Sequence, residues 1–155
     1  MTIARTLSHA LEQMSNTLAD LRVLMRREHS LFAHANIDIA ALGDITQQKA
    51  QLLGHLETFE QQRREVIEQQ GFDARDRESC LAAAEAAGEG SRWQDILECA
   101  RQVKMMNEVS AKVIEERSRI ERQLMKAINP EESEPLYGAS GRPQRNRASR
   151  YRVVG

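Results

Sequence analysis

The stretch LSHALEQMSNTLADLRVLMRREHSLF, from Leu7 to Phe32, decides the fold. Its apolar side chains recur at steps of four and three residues, and the last step is seven. Such a heptad pattern places them on one face of an α-helix that can pack against other helices. The members are Leu7, Leu11, Met14, Leu18, Leu21, Met25 and Phe32. Glu28 interrupts the pattern, and we expect the helix to break near Asn36.

A second segment repeats this pattern, with members Leu42, Ile45, Leu52, Leu56, Phe59 and Val66. Lys49 and Arg63 occupy two of its stripe positions. We interpret them as side chains whose stems pack while their charged ends reach solvent or an acidic neighbour; a functional role is the alternative. Gly71 predicts the end of the helix, because glycine readily adopts the left-handed conformation, and Phe72 can then fold back onto Ile67.

A short, Ala-rich third helix is predicted from about residue 73 to 87. Ser91 followed by Gln94 is a capping-box pattern, which predicts the start of a fourth, long helix. Its apolar face is expected to contain Trp93, Leu97, Ala100, Val103, Met106, Val109, Val113, Ile120, Leu124 and Ile128. Asn129-Pro130 ends it, since proline disfavours helical geometry in its predecessor. Most of the methionines fit core filling, Met105 among them, whereas Met125 is a candidate for contact with a partner.

The sequence therefore predicts an all-α fold: an antiparallel bundle of three long helices plus one short helix, with a flexible C-terminal tail. All three prolines lie in the last 26 residues, which favours a helical bundle over residues 1–129 and a flexible tail over residues 130–155. Short connections make neighbouring helices antiparallel. The fourth helix is the longest, so the stripe around 113–128 should lack cover, and an uncovered apolar stripe usually marks a partner site.

Composition and motifs argue against several functions. The histidines form no ligand pair, and no nucleophile has a base beside it, so neither an enzyme, nor a metal, nor a cofactor is expected. The formal net charge is −1, which makes nucleic acid an unlikely partner, although the tail carries five arginines against three glutamates. No apolar run approaches the roughly 20 residues that span a bilayer, and no signal peptide is recognisable. We expect a cytoplasmic protein without membrane insertion.

The tail contains Leu136-Tyr137-Gly138 in polar, Gly-rich surroundings, which is typical of an anchor that orders on binding. Together with the train from Lys49 to Phe72 and the pair Met106-Asn107, followed by Val113-Ile114, it makes the chain similar to the FlgN family. These proteins are flagellar type III export chaperones for the hook–filament junction proteins. One departure is Ser110-Ala111, where a second Asn-Gly pair would be expected.

The resemblance implies a cytosolic chaperone that binds C-terminal helical segments of flagellar hook-associated proteins, prevents their premature assembly and delivers them to the export apparatus. It implies that the end of the fourth helix holds the client and that Tyr137 docks at the export gate. The expected client-binding residues are Val113, Ile114, Ile120, Leu124, Met125 and Ile128.

Two other readings stay open. A structural coiled-coil adaptor or homodimer would pair its exposed stripe with itself. A nucleic-acid-binding regulator would use the arginines of the tail, and its binding would depend strongly on salt.

Overall fold

The computed structural model describes residues 2–128, and the expected tail, residues 130–155, lies outside this range. The chain forms four helices within it: α1 (Ile3–Phe32), α2 (Ile39–Gln69), α3 (Arg77–Ala86) and α4 (Gly90–Ile128). No strand occurs in the described part. The all-α prediction of three long helices and one short one is confirmed.

The seven stripe residues of α1 are all buried, as the heptad pattern predicts. α1 is the central helix of the bundle, because it packs against both α2 and α4, whereas α3 packs against α4. Most of the core is one cluster along α1, closed by α2, α3 and α4. A second, smaller cluster is built on Phe32 and Leu42, where α1 ends and α2 begins.

The direction of each long helix follows from contacts between side chains. His9 and Phe59 meet edge to face near one end, and Glu28 meets Lys49 near the other, so α1 and α2 are antiparallel. Contacts between α1 and α4 instead rise together along both helices, from Arg22–Gln102 to Phe32–Arg117. α1 and α4 are therefore parallel, and α2 runs in the opposite direction to both.

The helix ends show where local sequence signals are sufficient. Gly71 adopts φ +86°, and the Phe72 amide donates to the Ile67 carbonyl at 3.0 Å, so the predicted end of α2 is confirmed. The side chain of Asp38 caps α2 and that of Asp76 caps α3. α3 is shorter than the expected 73–87, because the side chain of Asp76 accepts from the Ser79 amide and the helix begins at Arg77.

Two expectations for α4 are wrong. The helix begins at Gly90, with the Trp93 amide donating to the Glu89 carbonyl at 2.9 Å, so Ser91 lies inside the first turn and cannot be its cap. The buried face is also rotated from the predicted one. Ile96 and Ser110 are buried while Leu97 and Val109 are exposed, since a long helix with neighbouring apolar residues offers two overlapping stripes.

Candidate functional site

The last part of α4 extends beyond the helix that it packs against. The guanidinium of Arg117 donates to the carbonyl of Phe32, the last residue of α1, at 2.5 Å. α4 continues for eleven residues after Arg117, which adds about 16 Å of helix. We call residues 111–128 the distal arm.

Three apolar side chains near the end of the distal arm are open to solvent. Ile120 is 45 % exposed, Leu124 is 56 % exposed and Ile128 is 78 % exposed. All three belong to the expected client-binding set, and their exposure agrees with the expectation that the fourth helix outruns its companions.

This exposure arises because packing partners end, and not because the side chains point away from the bundle. Eighteen residues make five full turns of an α-helix, so Leu124 lies on the same face as Met106, and Ile128 on the same face as Ser110. Met106 packs against the main core, and Ser110 is fully buried. Leu124 and Ile128 thus continue the core-facing side of α4 past the end of the core.

The remaining members of the expected set have partners or partial cover. Val113 and Ile114 are half-buried and pack against the Phe32–Leu42 cluster. Met125 is half-buried. The structure therefore places the six residues on one arm, with three of them open and three partly covered.

Two further exposed apolar residues extend the open surface toward the middle of α4. Met105 is 52 % and Val109 is 49 % exposed. With Val113, Ile120, Leu124 and Ile128 they follow steps of four, four, seven, four and four, so the six form one row that winds about 140° around the helix, from the outward side at Met105 to the core-facing side at Ile128. We call this row the apolar ridge. It is roughly 35 Å long. The sequence analysis places Val109 on the buried face and Met105 in the core. The steps of four residues from Met105 to Val109 and on to Val113 are the pattern that indicates a shared row.

A polar layer joins three helices at the level where the apolar ridge begins. Glu28 on α1 is 1 % exposed, and both of its carboxylate oxygens accept from Lys49 Nζ on α2 at 3.2 Å. The same ammonium donates to Asn107 Oδ1 on α4 at 3.0 Å. We call Glu28, Lys49 and Asn107 the polar layer. Lys49 has the expected acidic neighbour, but the sequence did not identify that neighbour as Glu28.

Two more contacts surround the polar layer. His29 Nε2 lies 3.1 Å from the carbonyl oxygen of Met106. Ser110, one turn after Met106, has a buried hydroxyl without a hydrogen-bond partner in the described range, and so has Ser118. A helical serine commonly bonds the carbonyl four residues earlier, but for Ser110 that carbonyl is the one facing His29.

Arg63 holds α2 to α4 at the opposite end of the bundle. Its guanidinium lies 4.3 Å from the centroid of the Trp93 ring, and it donates to both carboxylate oxygens of Glu60, at 2.7 and 2.8 Å. Burial alone would raise the pKa of Glu60, but hydrogen bonds and charge from Arg63 and Arg64 outweigh it and lower the pKa. The acidic neighbour expected for Arg63 is confirmed.

No helix within residues 2–128 is long and apolar enough to cross a membrane. In the same range, no three His, Cys, Asp or Glu side chains come together in a way that could hold a metal ion. Tyr137, the expected docking residue, lies outside the described residues.

Comparison with known proteins gives a consistent result. The family model described as FlgN protein matches residues 1–145. The flagella synthesis protein FlgN of Escherichia coli (strain K12) is 29 % identical over 135 residues, which cover 87 % of this chain and 88 % of that protein. Its counterpart in Salmonella typhimurium is 30 % identical over 137 residues, with the same coverage.

The flagella synthesis protein FlgN of Proteus mirabilis is 26 % identical over 144 residues, or 93 % of this chain and 91 % of that protein. No solved structure matches the chain significantly. The match to the family model extends over almost the whole chain, and the relatives align along nearly their full length, so this chain belongs to the FlgN family of flagellar synthesis proteins.

Proposed function

We propose that this protein is a cytosolic chaperone for flagellar export, which holds the C-terminal helix of a hook-associated protein along the apolar ridge of α4. In this role it prevents premature assembly of the client and delivers it to the type III export gate. One observation carries the proposal: the core-facing side of α4 continues as an apolar surface after the bundle has ended.

The geometry of the apolar ridge suits a helix as its occupant. Residues four apart on a helix form a ridge that fits the groove between the corresponding rows of a second helix. Beyond Arg117 this ridge presents Ile120, Leu124 and Ile128, all of them exposed. A client helix would restore there the packing that α1 provides lower in the bundle.

The expected affinity is moderate. Full burial of a large apolar side chain contributes about 1.5–3 kcal/mol. Four members of the apolar ridge are already about half covered, which leaves about 1 kcal/mol each, and Ile128, 78 % exposed, leaves about 1.5 kcal/mol. The matching surface of the client adds a similar amount, for a total of about 10 kcal/mol. Association costs at least about 4 kcal/mol. The difference, about 6 kcal/mol, corresponds to dissociation constants in the tens of micromolar, which permits release.

Val113 and Ile114 add less to this balance than fully exposed residues would, because they already contact Phe32 and Leu42. Their place beside the open residues lets a client helix extend over the small cluster without rearranging it. They form the inner boundary of the proposed site, and Ile128 forms its outer end.

The test is a titration of the full-length protein with a synthetic peptide of the C-terminal helix of a hook–filament junction protein. Saturable binding with negative heat-capacity change supports burial of the apolar ridge. Absence of binding, together with a tight dimer in analytical ultracentrifugation, would favour the coiled-coil homodimer, since the same ridge can pair with a second copy.

The final step of the proposal concerns Tyr137. By its place after α4, in the segment Leu136-Tyr137-Gly138, we assign it to docking at the export apparatus. Because this step uses another part of the chain, client binding and docking should be separable by substitution.

A further inference from the structure

The polar layer occupies positions where the heptad patterns of α1 and α2 call for apolar residues. Glu28 stands three residues after Met25 and four before Phe32, both buried. Lys49 stands four residues after Ile45 and three before Leu52. One polar side chain on each helix therefore interrupts an otherwise repeating apolar pattern at the same level of the bundle.

The hydrogen bonding of the polar layer is complete only in the observed alignment. An ammonium group has three donors, and Lys49 Nζ has three acceptors: two oxygens of Glu28 and Oδ1 of Asn107. A shift of α1 against α2 by a turn would leave the carboxylate of Glu28 among apolar side chains, and a shift of α4 would break the hydrogen bond from Lys49 to Asn107. Burying an unpaired charge is far more costly than mismatching apolar residues.

Apolar stripes with a repeating pattern do not by themselves select one alignment, whereas a single buried polar position can fix register. Asn107 stands between Met105 and Val109 in the sequence and about half a turn around α4 from both, so the polar layer contacts α4 at the level where the apolar ridge begins, on the opposite side of the helix. Movement of α4 by one turn relative to α1 would displace the ridge by about 5.4 Å. It would change how many ridge residues extend beyond Phe32.

We infer that Glu28 and Lys49 are positioning residues for the apolar ridge: through Asn107 they set the axial position and rotation of α4. This inference rests on the proposed function for the meaning of the apolar ridge, but the positioning itself is a property of the free protein. Neither residue needs to touch the client.

The experiment compares the native protein with Glu28→Met/Lys49→Met, which removes both charges together and leaves neither unpaired. Spin labels at the exposed positions 27 on α1 and 122 on α4, with Cys80 and Cys99 replaced by alanine, report the alignment of the two helices. The native protein should give one narrow distance distribution. In the double variant we expect the same helix content and a distance distribution broadened or shifted by about 5 Å. The affinity for the peptide should fall about tenfold if about a tenth of the molecules hold the alignment that binds it.

Asn107 offers a matched pair that preserves the fold, because its side chain is exposed. Asn107→Asp keeps an acceptor for Lys49 and should keep the narrow distribution, whereas Asn107→Leu removes it and should broaden the distribution.

An unchanged distribution in both the double variant and Asn107→Leu overturns the inference, whatever the affinities are. A broadened distribution with native peptide affinity overturns it as well, because the polar layer would then not position the binding surface. If the native protein fails to bind the peptide, the proposed function fails, while the distance measurements still decide whether the polar layer fixes register.

Discussion

The guanidinium of Arg63 stacks 4.3 Å from the centroid of the Trp93 ring, and this contact ties the end of α2 to the start of α4. Arg63 is buried and its second partner is the carboxylate of Glu60, three residues earlier on α2. A planar guanidinium can stack on an aromatic ring and bind a carboxylate through its edge at the same time, which an ammonium cannot do.

Arg63→Ala should therefore destabilise the protein by about 2–4 kcal/mol, because it removes packing on Trp93 and leaves Glu60 with one fewer partner. Arg64→Ala is the matched control: Arg64 is half-exposed and pairs with the same carboxylate, so its loss should cost less than about 1 kcal/mol. Urea unfolding of both variants gives the comparison. Equal losses for the two would show that the stack on Trp93 contributes nothing.

Glu60 should make stability depend on pH. Its pKa is lowered below the ordinary 4.5 by Arg63 and Arg64, against the opposing effect of burial. A carboxyl with a lowered folded-state pKa stabilises the fold above its unfolded pKa, and the contribution is lost as pH falls through the folded value. The stability difference between native protein and Glu60→Gln should thus be full above pH 4.5 and shrink below it. Unfolding titrations of both proteins at several pH values measure this difference, and a difference that stays constant through acidic pH would contradict the prediction.

Gly54 and Gly71 should respond to alanine in opposite directions. A Cβ would meet no atom within 4 Å at either position, but Gly71 has φ +86°, where a side chain is strained. Gly71→Ala should cost about 1 kcal/mol, while Gly54→Ala, in the interior of α2, should stabilise by about 0.5–1 kcal/mol through helix propensity. Thermal unfolding of the two variants measures both. Destabilisation by Gly54→Ala would indicate a close contact that this arrangement lacks.

These cases show how much sequence could predict. The stripe from Leu7 to Phe32 and the stop at Gly71 are local patterns, and local rules sufficed for them. The predicted inner face of α4 is wrong, because Ile96 and Leu97 are adjacent and only the position of α1 decides between them. The pairing of Glu28 with Lys49 depends on which helices become neighbours, so no local pattern could identify it.

The proposed site likewise has one feature that the sequence predicts and one that depends on packing. Helix lengths read from the sequence predict the excess length of α4, which accounts for the exposure of Leu124 and Ile128. The contribution of Met105 and Val109 was not, since their exposure depends on how α4 is rotated against α1. Periodicity indicates that a helix has an apolar face, whereas packing determines which part of that face stays open.

Leu124→Asp should abolish binding of the client peptide while leaving the bundle folded, because its side chain is already 56 % exposed. Val23→Asp on α1 is the matched control: Val23 is 54 % exposed and lies outside the apolar ridge. Calorimetric titration should show native affinity for the control and at least a tenfold loss for Leu124→Asp. Circular dichroism should show native helix content for both. Global melting of Leu124→Asp would mean that the distal arm has structural neighbours, and equal affinities would remove Leu124 from the site.

Tyr137→Ala should leave client affinity intact and reduce export, because the proposed docking step follows binding and uses a separate segment of the chain. Tyr151→Ala provides the control, since it removes the other tyrosine without changing Leu136-Tyr137-Gly138. Peptide titration measures the first quantity, and the amount of hook-associated protein secreted by cells carrying each variant measures the second. Reduced affinity in Tyr137→Ala would place Tyr137 within the client site, and native secretion would remove it from docking. If both tyrosine variants reduced export equally, the effect would belong to the tail as a whole, and the assignment of Tyr137 would be wrong.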